Sequence, residues 1–310
     1  MRSPLNSKSL YVCSHEAAAG SLIVSLGMME FLKAKFKRVA FFRPFVWLKE
    51  GDHDTLFFLK RYGLAMSYEQ TYGFSVGEVE KLIAQNRFDL LLQELIMQFK
   101  QLEETYDFVF IEGLNQANFS HAIDLDINLE IAKNFGTPYI NILKGNDKTP
   151  EEIMDEILID YEGIKASGVT HFATFVNRLE HEDTKTLQSL IGSAPDLPPV
   201  HLLREVTELD KPTIYEVIQS LHAKVVQAES RDFRRIVRQT KIAAMQLENF
   251  LKHVEEGDLV IVPADRADIV VGSILALYSK KYPNISGIVL TGGMTLAPSI
   301  QSILEGLSDS

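Results

Sequence analysis

Leu10-Tyr11-Val12-Cys13-Ser14-His15-Glu16-Ala17-Ala18-Ala19-Gly20-Ser21-Leu22 reads as an apolar strand, a loop of small residues and the opening of a helix. The run Leu10–Cys13 is continuously apolar. Strands buried on both faces of a parallel sheet have that pattern, whereas a half-exposed strand alternates. The same type of run recurs at Val39–Phe42, Phe108–Glu112, Tyr139–Leu143, Phe172–Val176 and Val200–Leu203. Helical patterns lie between them, at Ser21–Phe36, Val76–Glu103, Asn128–Phe135, Glu151–Ala166 and Asp183–Ile191. Thr149-Pro150-Glu151-Glu152 is a helix start, with proline and acids in the first turn. Repeated strand–helix–strand units require right-handed crossovers. They predict an α/β fold built on a doubly wound, mostly parallel sheet.

A second α/β segment follows Gly192–Thr213, where Pro195, Pro198, Pro199 and Pro212 cluster. Its expected elements are helix Ile214–Leu221, a strand near Ala223–Val226, a strand over Ile236–Ala244, helix Gln246–Val254, strand Leu259–Pro263, helix Ile269–Lys280, strand Gly287–Leu290 and helix Ser299–Leu307. The 310 residues are 46% hydrophobic and 24% charged, which is ordinary globular composition. Two domains fit that length at about 100–200 residues each. A single cysteine, Cys13, excludes an intramolecular disulfide, and no apolar run is long enough for a membrane span. A net charge of −11 argues against a nucleic-acid partner, because phosphate attraction dominates such binding. Neither nucleic acid nor membrane is therefore expected as a partner, and the expected compartment is the cytoplasm.

The loop after Cys13 has the architecture of a phosphate-binding loop, in which a helix N-terminus offers unpaired N–H groups to an anion. A working loop ends in glycine, lysine and a hydroxyl residue. Gly20 remains here. Ser14 replaces the first glycine, Ser21 the lysine and Leu22 the hydroxyl that holds magnesium. The bland alternative is a strand-to-helix turn that binds nothing. Glu112 ends the strand Phe108–Glu112, on the edge where open α/β sheets bind ligands, and could hold a metal or orient water. Asp265-Arg266-Ala267-Asp268 and Thr291-Gly292-Gly293 follow two later strands. Arg266 could clamp an anion, and Gly292-Gly293 allows close backbone approach. Arg231, Arg234, Arg235, Arg238 and Lys241 form a basic cluster in an acidic chain, read as a solvated face or a docking point for an anionic effector. His15 could contact an anion in the loop. No Cys/His metal spacing and no nucleophile elbow occurs.

The ordered set of motifs resembles the N-terminal region of long-form bacterial phosphate acetyltransferases. In that family a module similar to dethiobiotin synthetase and cobyrinate diamide synthase precedes a DRTGG domain. The carriers are Ser21–Gly27, Phe42-Arg43-Pro44-Phe45, Tyr106–Gly113, Asn128–Lys133, Val176-Asn177-Arg178, Lys211-Pro212-Thr213, Ala264–Asp268 and Thr291–Gly293. The resemblance implies a P-loop-type domain over 1–210 and a smaller α/β DRTGG domain over 211–310, cut short or ending at Ser310. The acetyltransferase domain would lie outside the chain.

Carried over residue by residue, the resemblance gives Gly20, Ser21 and Asn177 as a degenerate nucleotide site, with Asn177 as base reader. It gives Asp54 and Glu112 as magnesium carboxylates, and Arg43 in place of a substrate-side lysine. Arg43, Asp265, Arg266, Asp268, Thr291, Gly292 and Gly293 become candidate effector or interface residues. No catalytic residue is expected, and no cofactor is required beyond weak nucleotide or Mg²⁺. The implied role is regulation and assembly of phosphate acetyltransferase, which interconverts acetyl-CoA plus phosphate with acetyl phosphate plus CoA. The implied partners are the chain's own C-terminal acetyltransferase domain, further copies of itself and a small-metabolite effector. Two alternatives stay open: an ATP-dependent carboxylate ligase of the dethiobiotin synthetase type, and a free-standing ligand-sensing scaffold.

Overall fold

The computed structural model describes residues 7–14, 16–47, 49, 51–114, 121–194, 196–277, 279 and 281–308. The reading of His15 lies outside these residues. Cα packing divides the chain into two units, Met1–Glu205 and Val206–Ser310.

The first unit runs β1 (Ser9–Ser14), α1 (Ser21–Lys35), β2 (Val39–Val46), α2 (His53–Tyr62), β3 (Tyr72–Ser75), α3 (Val76–Ala84), α4 (Phe88–Thr105), β4 (Phe108–Glu112), α5 (His121–Phe135), β5 (Tyr139–Lys144), α6 (Pro150–Ser167), β6 (His171–Leu179), α7 (Thr184–Gly192) and β7 (Val200–Arg204). Its strands form one sheet in the order β3-β2-β4-β1-β5-β6-β7, with every neighbouring pair parallel. The continuous apolar runs have a direct cause. Successive side chains on a strand point to opposite faces, and both faces are covered by helices. Leu10, Val12, Phe41, Phe108 and Phe110 pack with Val24, Met29 and Leu32 of α1 and Phe58 of α2. Tyr11, Cys13, Phe42, Val109 and Ile111 pack on the other face with Val79 of α3, Leu95 and Phe99 of α4 and Phe135 of α5. The chain leaves β1 toward β2 on one side of it, and leaves β4 toward β5 on the other. The switch point, and with it the ligand edge, lies at the carboxyl ends of β1 and β4.

β2 is shared lengthwise. Val39–Phe42 pair with β4, and Arg43, Phe45 and Val46 pair with β3. Pro44 therefore sits where the β4 side is no longer paired, so its missing N–H breaks no ladder bond there.

In the second unit the elements are α8 (Ile214–Leu221), β8 (Gln239–Ile242), α9 (Leu247–Phe250), β9 (Asp258–Pro263), α10 (Ala267–Leu277), β10 (Gly287–Thr291) and α11 (Pro298–Ser308). A parallel sheet in the order β10-β9-β8 packs Val260 and Val262 against Phe250, Ile269 and Val270.

Several sequence expectations are corrected. Ala223–Val226 is not a strand. His222 ends α8 in the left-handed conformation (φ 48°), and the four residues after it are exposed, so nothing is there to bury a strand. The Ile236–Ala244 run narrows to β8, with Ile236 in a lone antiparallel bridge to Thr213. Gln246–Val254 is a single α-turn followed by a 3-10 turn over Leu251–His253. Val76–Glu103 is two helices, broken at Asn86 (φ 55°). The basic cluster forms no common helical face. Arg231 pairs with Glu229, Arg235 with Asp232, Arg238 with Glu208, and Lys241 with Glu255.

Candidate functional site

The parallel register decides which side chains meet at the ligand edge. Phe42 stands opposite Ile111, which places Arg43 beside Glu112 on the face covered by α1 and α2. Arg43 donates from Nε to Glu112 Oε2 at 2.8 Å, and Nη2 meets the same oxygen. Nη1 donates to Asp52 Oδ2 at 2.6 Å, and Nη2 reaches Asp54 Oδ2 at 3.5 Å. Its guanidinium stacks over Phe41 at 5.5 Å. Asp52 is also the N-cap of α2 and accepts from Thr55 N at 2.9 Å. Glu112 is 1% exposed, and its other oxygen accepts from Ser25 Oγ of α1 at 2.8 Å. Burial works against the Arg43 charge, but Glu112, Asp52 and Asp54 outweigh it and hold the pKa above the ordinary arginine value.

These contacts decide whether magnesium fits. A magnesium ion needs oxygen donors free to close to about 2.1 Å. Glu112 already receives three donors, and Asp52 receives two on one oxygen. Asp54 is the outermost of the three acids. Among the described residues no group of three or more His, Cys, Asp or Glu is placed to hold a metal. With Arg43 among them, the carboxylates do not fit Mg²⁺.

On the other flank of α1, β6 closes on the β1–α1 loop. Asn177 donates from Nδ2 to Ala19 O at 2.8 Å and lies 3.4 Å from Gly20 O. Arg178, itself left-handed (φ 62°), donates to Ala18 O at 2.9 Å and forks onto Glu205 at 2.9 and 3.2 Å. Gly20 is at φ 73°, and a Cβ there would lie 2.3 Å from Asn177 Nδ2. The amide that the resemblance assigns to base reading is thus bound to the loop backbone. Glu16 accepts from Lys144 N at 2.7 Å and from Lys148 Nζ, so an acid of the loop is tied to the chain after β5. Ser21 opens α1 with no acid in its first turn.

The structure therefore gathers Gly20, Ser21 and Asn177 around one loop, and Arg43, Asp54 and Glu112 on the neighbouring flank of α1. Sequence reasoning missed Asp52, Ser25, Glu16, Lys148 and Arg178. The Asp52-His53-Asp54-Thr55 capping pattern was the available signal for the first. In the second unit Arg266 forks onto Asp268 at 2.9 Å through both Nε and Nη2, and Nη2 also donates to Met245 O at 3.0 Å. Asp265 is exposed. Thr291 O accepts from Ala264 N at 3.1 Å, and Gly292 and Gly293 are both left-handed (φ 90° and 66°). Exposed pairs such as Arg266–Asp268 add little stability. A cavity of about 400 Å³ lined by Leu10, Met28, Phe31, Phe172 and Phe175 opens at the amino ends of the strands, opposite the ligand edge.

A family model described as AAA domain matches residues 8–226, and one described as DRTGG domain matches residues 216–308. The phosphate acetyltransferase of Nitratidesulfovibrio vulgaris is 34% identical over 309 residues, covering 97% of this chain and 44% of the relative. That of Synechocystis sp. is 26% identical, with the same coverage of 97% and 44%. That of Escherichia coli is 22% identical, covering 93% and 43%. The chain thus spans less than half the length of these curated relatives. Among solved structures, a GTPase in apo form from Pyrococcus abyssi aligns at a TM-score of 0.41 and 15% identity, covering 64% of this chain and 90% of that one. Among the described residues no helix is long and apolar enough to cross a membrane.

Proposed function

We propose, from the premise that this chain belongs to the AAA-domain family and carries a DRTGG domain behind that module, that it is the N-terminal regulatory and assembly region of a phosphate acetyltransferase. The observation that carries the reading is alignment to such enzymes along 97% of the chain, in proteins more than twice its length. Acetyl transfer to phosphate needs a site that holds a thiol, an acetyl carbonyl and a base in register. The crevice supports a different role. Ser21 stands where a phosphate-gripping lysine is needed, and a missing charge-assisted contact of that kind costs about 1.5–3 kcal/mol. Nucleotide, if held at this edge, is held weakly and is not turned over. Control of a catalytic domain requires an effector with different affinity for two states of the assembly. The β1–α1 loop and the Asp265–Asp268 and Thr291–Gly293 loops are its proposed seats, in a cytoplasmic homo-oligomer.

The test compares a full-length enzyme containing this region with a version lacking residues 1–310. The isolated chain is expected to transfer no acetyl group. The shortened enzyme is expected to keep the transfer while its sedimentation or its response to added ATP and ADP changes. Equal rates, responses and sedimentation in both enzymes would overturn the regulatory reading.

A further inference from the structure

We infer that Arg43 is a resident cation, a side chain that occupies this acidic crevice in place of a divalent metal. The inference stands on the local geometry and is independent of the regulatory role proposed above. Three carboxylates, from β4 and from the start of α2, converge on one guanidinium whose side chain is only 12% exposed. Each nitrogen of the guanidinium is used: Nε on Glu112, Nη1 on Asp52, Nη2 on Glu112 and Asp54. Glu112, the most buried of the three acids, is completed by Ser25 Oγ. The planar fork suits a carboxylate better than an ammonium would, and arginine keeps its charge at every pH the fold survives.

A second cation brought to Glu112 or Asp52 would sit within a few ångströms of the guanidinium, and like charges at that distance repel strongly. The Phe41 ring beneath the guanidinium and the register of β2 on β4 keep Arg43 from swinging aside. The chain's own guanidinium therefore occupies the position between the three carboxylates and offsets part of their charge. Removing the guanidinium should leave Glu112, Asp52 and Asp54 uncompensated and let them draw together on a divalent ion.

The experiment uses the 310-residue chain and Mn²⁺ as probe, read by loss of the free-ion magnetic resonance signal, with melting followed in Mg²⁺ and in chelator. The parent is expected to bind no Mn²⁺ below millimolar concentration and to melt at the same temperature in both media. Arg43→Met is expected to bind one Mn²⁺ at least about tenfold more tightly and to melt higher with metal than without. Adding Glu112→Gln should abolish both effects. Parent chain that binds Mn²⁺ as tightly as Arg43→Met overturns the inference, as does folded Arg43→Met that binds none. If Arg43→Met does not fold in chelator, recovery of the parent circular dichroism in Mg²⁺ supports the inference, and failure to recover overturns it.

Discussion

Asp160 and His171 show how single half-buried groups set the response of this protein to pH. Burial pushes the Asp160 carboxyl up to about 6. The amide of Asn141, donating at 2.6 Å, opposes this, Glu16 adds to it, and Lys148 opposes it. Burial pushes the His171 imidazole down to about 4, against a backbone contact at Ala173. The signs differ. The folded chain holds the Asp160 proton more tightly than the unfolded chain, so that contribution is lost as pH rises from about 4 through 6. The folded chain binds the His171 proton less tightly, so that contribution is lost as pH falls from about 6.5 through 4. Over the shared window the two offset each other. Asp160→Asn should therefore raise stability above pH 6, by at most about 3 kcal/mol because Asp160 keeps some water contact. It should also expose the His171 slope as a steeper loss toward pH 5. Urea midpoints at pH 5 and pH 7.5 check this, and a variant no more stable than the parent at pH 7.5 would count against it. Little of this was legible in the sequence, since nothing in the spacing of Asp160 and Asn141 announces that α6 and β5 bring them together, or that β6 half-buries His171. Arg43 and Glu112 were legible singly, as a cation and an acid at strand ends. Their pairing was not, because it depends on the register of two strands 69 residues apart.

Element boundaries follow a similar division. β1, β4, β5 and β6 were visible as apolar runs because both of their faces are buried. β3 was not, because Tyr72-Gly73-Phe74-Ser75 is short and half-buried and runs directly into α3. Gly73 explains why that strand can sit so close to β2. A Cβ there would lie 2.6 Å from Pro44 O and 2.4 Å from Leu95 Cδ2. The first of these neighbours is backbone and cannot turn away. Gly73→Ala should destabilise the first unit by about 1–3 kcal/mol, the usual range for overpacking. Gly77→Ala is the control: nothing lies within 4 Å of its added methyl in α3, and the helix should gain up to about 1 kcal/mol. Equal midpoints for the two variants in chemical denaturation would refute the packing argument. The break between α3 and α4 had its signal in Asn86, a residue that tolerates the left-handed conformation, but the apolar periodicity on either side hid it.

At the scale of the whole chain, the proline cluster marks a change of unit but does not resolve where the protected structure stops. Val200–Arg204 is paired to β6, and Glu205 N still donates to Leu179 O at 3.0 Å. The residues that follow are open, with Val206 50% and Leu209 61% exposed. Brief thermolysin digestion should therefore cut at 206–211 and leave two pieces that persist, identified by mass. Early cuts within β5 or β6 instead would argue against two independent units. The sheet of the first unit carries a further consequence, for synthesis. β1 is its central strand, yet its first partner is Val109 against Ser9, 100 residues later, and its second begins at Tyr139. At roughly 5–20 residues per second a ribosome needs on the order of 5–20 s to supply β4. Through that interval Leu10–Cys13 and Val39–Phe42 have emerged with no strand to pair them, and non-local parallel pairing is slow even when the partner exists. The vulnerable species in a cell is then the half-synthesised chain, in which β1 and the Val39–Phe42 half of β2 wait, sticky and unpaired, for a sequence not yet translated.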